Sequence, residues 1–291
     1  SLKESCGICQ ESRLQSRGVR LTPTLRLKSQ KENMSMKMET RLLQLRWFNG
    51  VMGLLHLAQG VLMLALSSDF SLPISASFLK FDPAASKLAP VPETLVDLRI
   101  GPLVAAFLFL SAIAHLLVTS PGICQWYARN LTKGINYARW IEYSFSASLM
   151  IVVIAMLVGI YDIASLTLIF TLNATMILFG LMMELHNQTT QKTNWTSFWF
   201  GSVAGAVPWI AIAIYLFGSG GDGGGPPGFV YGIFASLFVF FNVFAINMVL
   251  QYRKIGPWRD YLYGERAYVL LSLFAKSALA WQVFAGTLRP V

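Results

Sequence analysis

Four side chains in this sequence carry charge where the residues around them do not. Lys276 sits in Leu270-Leu-Ser-Leu-Phe-Ala-Lys-Ser-Ala-Leu-Ala280, too deep in an apolar run for its ammonium to reach water along its own stem. Arg139 and Glu142 lie one turn apart in a second apolar run, and Glu184 falls near the end of a third. Ionisable groups at such depth are costly, so each calls for a function or a tight partner. Two chemistries suit the lysine. One is an ion pair that holds two helices together. The other is a lysine in Schiff-base linkage to a carbonyl compound, whose lasting positive charge requires a buried carboxylate counter-ion. Residue types and spacing alone leave both open.

Elements long enough to hold these groups at depth are easy to find. A bilayer core of ~30 Å needs about 20 apolar residues per helix. Seven stretches meet that length, near Trp47–Leu66, Ile100–Thr119, Ile135–Gly159, Ile163–Leu185, Phe198–Gly218, Phe229–Tyr252 and Ala267–Leu288. Ser120-Pro121-Gly122 ends the second, and a Gly-rich run from Gly218 to Gly228 separates the fifth from the sixth. The long connection Ser67–Leu98, with Pro73, Pro83, Pro90 and Pro92 among short apolar runs such as Ile74–Phe81, predicts a small hairpin outside the bilayer. If the third and seventh spans enter from the same side, Glu142 and Lys276 stand at nearly the same level, with Arg139 (i, i+3) on the Glu142 face.

Composition agrees with a membrane protein. Of 291 residues, 55% are hydrophobic and 13% charged, about half the charged share usual in soluble domains. Residues 1–46 hold ten Lys and Arg against four Asp and Glu, which is most of the net charge of +9. A soluble enzyme or a nucleic-acid binder is excluded on these grounds, and the basic tail and loops suit an anionic membrane surface. Residues 1–35 lack apolar periodicity and are expected to be a disordered basic extension, not a signal peptide. The functional chain is expected to start near Met34, Met36 or Met38, giving a seven-helix domain over 36–291. Cys6, Cys9 and Cys124 make no disulfide framework, and Cys6-x-x-Cys9 has no partner pair for zinc or redox work. His56, His115 and His186 show no metal-ligand spacing.

Seven spans put the termini on opposite sides, and Lys and Arg counts say which is which. The N-terminal side has Lys37, Arg41, Arg46, Arg129, Lys133, Lys192, Arg253, Lys254, Arg259 and Arg266, while the other has Lys80, Lys87, Arg99 and Arg289. The N-terminus is expected in the cytoplasm and the C-terminus outside, the reverse of a G-protein-coupled receptor.

The run Ser272-Leu-Phe-Ala-Lys276 resembles the retinal-attachment motif of heliorhodopsins, seven-helix retinal proteins of inverted orientation. Arg139-Trp-Ile-Glu-Tyr143 is similar to that family's third-helix motif. Further similar stretches, in family order, are Asn173-Ala-Thr-Met-Ile-Leu-Phe-Gly180, Phe198-Trp-Phe-Gly201, Val207-Pro-Trp209, Pro227-Gly-Phe-Val-Tyr-Gly232 and Gly264-Glu-Arg-Ala-Tyr268. The resemblance runs from about Met36 to the C-terminus and has no counterpart for residues 1–35.

The resemblance implies all-trans retinal on Lys276, with Glu142 as sole carboxylate counter-ion and the Ser272 hydroxyl near the Schiff base. It implies a polyene and ring pocket drawn from Tyr143, Asn173, Met176, Ile177, Trp209, Phe238 and Phe241, types that suit a flat conjugated ligand. His56, His115, Arg139 and Glu184 would line a polar cavity on the cytoplasmic side, able to hold water and a released proton. The implied protein is a dimeric light sensor in the lipid membrane, not an enzyme and not a pump, with an unnamed signalling partner. The rivals are a light-gated channel or transporter, a light-dependent regulator of a partner protein, and an unrelated helical protein with a structural ion pair.

Overall fold

The structure is a computed structural model that describes residues 23–82, 86–218 and 225–288. The chain divides into two units, Ser1–Leu45 and Arg46–Val291. The first is described from Pro23, where helix α1 (Pro23–Leu66) begins. Residues 23–35, expected in a disordered extension, lie within this helix. Proline suits a first turn, where its missing N–H costs nothing, and Lys, Gln, Glu and Met after it are good helix formers. Residues 1–22, with Cys6 and Cys9, lie outside the described residues.

The second unit is a bundle of apolar helices. After α1 come strands β1 (Ser71–Asp82) and β2 (Lys87–Arg99), then α2 (Ile100–Thr119), the short α3 (Ile123–Leu131), α4 (Tyr137–Leu157), α5 (Ile163–His186), α6 (Thr196–Gly218), α7 (Gly228–Tyr252) and α8 (Tyr261–Val283). A single π-turn, Phe284–Leu288, extends α8. Among the described residues, seven helices (α1, α2 and α4 to α8) are long and apolar enough to cross a membrane. Their limits match the apolar runs within two residues except at two starts, the first, where α1 begins at Pro23 and not at Trp47, and the last. The last span starts at Tyr261, six residues before the expected Ala267, because Asp260 caps it by accepting from the Leu262 N–H at 3.1 Å.

The predicted hairpin is present. β1 and β2 pair antiparallel from Ser71 with Arg99 to Asp82 with Lys87, with a bulge at Ile74/Ser75. Pro73, Pro90 and Pro92 fit because both strands of a two-stranded sheet are edges. Backbone bonds fasten the hairpin end of the bundle: Ser75 N–H to Tyr161 O at 2.9 Å, Ile100 N–H to Phe70 O at 3.0 Å and Ser68 N–H to Leu288 O at 2.7 Å.

Helix α2 packs on α4, α4 on α5, α5 on α6 and α7 on α8. Between α6 and α7 the contact is made by rings. Trp209 meets Phe234, Phe238 and Phe241 edge-on at 5.3–5.5 Å between centroids. Pro208, beside that tryptophan inside α6, cannot donate to the preceding turn.

Candidate functional site

Lys276 of α8 and Glu142 of α4 meet inside the bundle. The ammonium Nζ donates to Glu142 Oε1 at 2.9 Å and to Ser272 Oγ, one turn back on its own helix, at 2.9 Å. The lysine side chain is 3% exposed and the glutamate 7%. Ser111 of α2 donates its hydroxyl to the same Oε1 at 2.6 Å, a residue the sequence did not single out. The Tyr143 ring lies 4.9 Å from Nζ, and its hydroxyl donates to the Tyr268 carbonyl at 2.8 Å, fixing α4 against α8. A buried lysine with a carboxylate acceptor and a neighbouring hydroxyl can carry a lasting positive charge.

Lys276 opens into a cavity of about 550 Å³. Its walls include Tyr143, Met176, Ile177, Trp209, Phe238 and Phe241 from the expected pocket, joined by Trp140, Phe234, Phe244 and Tyr268. The size lies within the 300–1,000 Å³ typical of small-molecule sites. Glycines make the space: a Cβ at Gly205 would run into Met176, and one at Gly180 into the Trp140 indole. An apolar, ring-lined cleft whose lining includes the Lys276 amine and the Ser272 hydroxyl fits a long conjugated aldehyde such as retinal. Asn173, expected in the pocket, is 1% exposed, donates to Ser148 Oγ at 3.0 Å between α4 and α5, and is not among the residues lining the cavity.

The expected polar cavity is divided. His56 and His115 stack with centroids 5.6 Å apart and planes 8° from parallel. His115 Nδ1 is 2.8 Å from Asn49 Oδ1, whereas neither ring nitrogen of buried His56 has a hydrogen-bond partner among the described residues. A small cavity touches Asn49, His115, Arg139 and Glu142, but not Glu184.

Glu184 belongs instead to a buried ion cluster. Its Oε1 accepts from Arg139 Nη2 at 2.6 Å and Tyr261 OH at 3.1 Å, and its Oε2 from Trp140 Nε1 at 2.7 Å and Asn136 N–H at 2.9 Å. Glu265 of α8 takes the other arm of Arg139 and accepts from Asn136 Nδ2 at 2.6 Å. The Arg139 guanidinium thus turns away from Glu142, although the two share a helix face. Its own faces are covered by Tyr268 at 3.8 Å and Trp140 at 4.3 Å. Nearby Tyr127 of α3, outside the spans, has its phenol pushed up by burial and by Glu265. Glu265 was missed because the last span was begun two residues after it. The Asp260 cap three residues before the apolar Tyr263 was the signal that moves the start back.

The sequence matches the Heliorhodopsin family model over residues 45–288. The chain belongs to the heliorhodopsin family. It is a multi-pass membrane protein of the light-sensing, retinal-binding type and not a classical enzyme. A search of curated proteins finds no match to the chain. As in the heliorhodopsin motifs read from the sequence, the lysine run lies on the last span and the glutamate run on the third.

Proposed function

We propose that the chain is a light sensor that carries all-trans retinal on Lys276, with Glu142 as the counter-ion, and that it pumps no ion. The observation behind this reading is the Lys276–Glu142 pair at 2.9 Å, with Lys276 lining an apolar cavity of about 550 Å³. When bound, retinal supplies the absorption of visible light and the change of shape that follows it.

The chain's own residues supply the rest. Lys276 offers the primary amine, and Glu142 holds the facing negative charge, fixed in place by Ser111. Ser272 keeps a hydroxyl at Nζ. Met176, Ile177, Trp209, Phe238 and Phe241 set the length and flatness of the pocket and keep water from it. The buried His56 ring, with no hydrogen-bond partner among the described residues, is the acceptor for a proton released at Nζ. On the hairpin side of Lys276, the described spans hold no Asp, Glu, His, Lys or Arg, so no titratable relay leads outward, and a pump needs one on each side.

The same reading places the N-terminus in the cytoplasm and the C-terminus outside, on the ten-to-four excess of Lys and Arg. It takes the working unit to be a homodimer in lipid that signals to a partner protein, as the family resemblance implies. The deciding experiment adds all-trans retinal to membranes holding the apoprotein. A visible absorption band should form, and Lys276→Ala should abolish it. A band that survives the substitution overturns the assignment.

A further inference from the structure

The Arg139 cluster has a charge imbalance that the retinal site does not explain. One guanidinium, 4% exposed, faces two carboxylates of 3% and 1% exposure. Among the described residues, no second cation is hydrogen-bonded to either carboxylate; their other partners are Trp140, Tyr261 and Asn136, all neutral. Two ionised glutamates would leave a surplus negative charge in the interior, and uncompensated buried charge is strongly unfavourable.

We propose that Glu184 and Glu265 together hold one proton in the dark protein, so that the Arg139 cluster is neutral. Glu184 accepts four, two on each oxygen, which is the full capacity of an ionised carboxylate. Glu265 accepts two. Asn136 cannot turn its oxygen towards Glu265, because Oδ1 is held by the Arg139 N–H at 3.0 Å as the α4 cap. The Tyr127 hydroxyl lies 3.4 Å from the same Asn136 amide. The titratable and charged groups facing the pair are Tyr127 from α3, Arg139 from α4, Tyr252 from α7, and Tyr261 and Tyr268 from α8.

The proton makes the cluster a titratable lock. Through it α4, α5 and α8 are tied together one helical turn from Glu142, and loss of the proton sets two like charges against each other across the α5–α8 contact. The site does not depend on the chromophore and exists equally in the apoprotein.

Infrared spectroscopy of the membrane-embedded protein at neutral pH, in the dark, with and without retinal, tests this. Glutamate labelled with ¹³C at the carboxyl assigns the bands. Wild-type protein should show one protonated glutamate C=O stretch per chain, moving down in D₂O. It should vanish in both Glu184→Gln and Glu265→Gln, because Arg139 then balances the carboxylate that remains, and it should persist in Glu142→Gln. A wild-type spectrum without the band, a band that survives either substitution in the pair, or one lost in Glu142→Gln overturns the proposal. The wild-type arm decides even where a variant fails to fold.

Discussion

At Lys276 two oxygens, Glu142 Oε1 and Ser272 Oγ, accept from Nζ directly, and a third, Ser111 Oγ, acts through Glu142. Glu142 concentrates negative charge beside Nζ, while Ser111 draws part of that charge into its own hydrogen bond at 2.6 Å. A carboxylate beside the nitrogen stabilises the ground state, whose positive charge is localised there, more than the excited state. Glu142→Gln should therefore move the absorption maximum to the red. Ser111→Ala frees the carboxylate from a donor and should move it by a smaller amount to the blue. Spectra of the two reconstituted variants check the signs, and shifts in the same direction would count against Glu142 as counter-ion. The depth argument that paired Lys276 with Glu142 was legible in the sequence, because it needs only span starts and the rise of a helix. Ser111 was not, since an isolated serine in an apolar helix usually bonds to its own backbone. Ser111 does that as well, to Phe107 O at 3.2 Å.

Among the elements, the spans were legible because each is a long apolar run bounded by Gly, Pro or charge. What the runs did not reveal is where polar side chains from three helices converge. Arg139 had Glu142 as a same-face neighbour, yet its fork is taken by Glu184 and Glu265 from other helices. Asn173 looked like a pocket residue, and only the α4–α5 packing shows its amide turned to Ser148. The cavity itself depends on absent side chains. Gly205→Val should block it, since even a Cβ there meets Met176, and retinal uptake should fall well below that of Gly232→Ala, where a Cβ meets nothing within 4 Å. Equal uptake by both variants would show that Gly205 does not shape the pocket.

Helix α5 depends on its cap. Asp162 accepts from the Ser165 N–H at 2.8 Å and the Ser165 hydroxyl at 2.9 Å. Those bonds hold its carboxyl below the usual aspartate range. A carboxyl lowered in the folded state adds stability above its unfolded value near pH 4, and that stability is lost as the pH falls through the folded value. Asp162→Ala should cost about 1 kcal/mol near neutrality. Thermal denaturation should show the difference narrowing in acid; a gap that widens in acid would contradict the capping role.

For the whole molecule, the charge asymmetry and the one-sided placement of titratable groups lead to two expectations. An epitope placed before Arg46 should be protected in intact cells and one after Val291 accessible. Reversed labelling would refute the charge count. Illumination of a lightly buffered suspension of expressing cells should produce no sustained pH change; a change abolished by a protonophore would turn the reading to transport.

The hairpin end of the bundle is stitched by main-chain bonds that no side-chain rearrangement can release. The sheet joins α1 to α2, Ser75 ties it to the α4–α5 turn, and Ser68 holds the π-turn that ends α8. A bundle clamped at one end tilts like a set of levers with a common fulcrum. Over a span of ~30 Å, a tilt of about 10° carries the free end roughly 5 Å while the clamped end hardly moves. Displacement is therefore largest at the mouth opposite the hairpin, where α3 and the starts of α4 and α8 meet, and a molecule reading the state of this protein has most to read there.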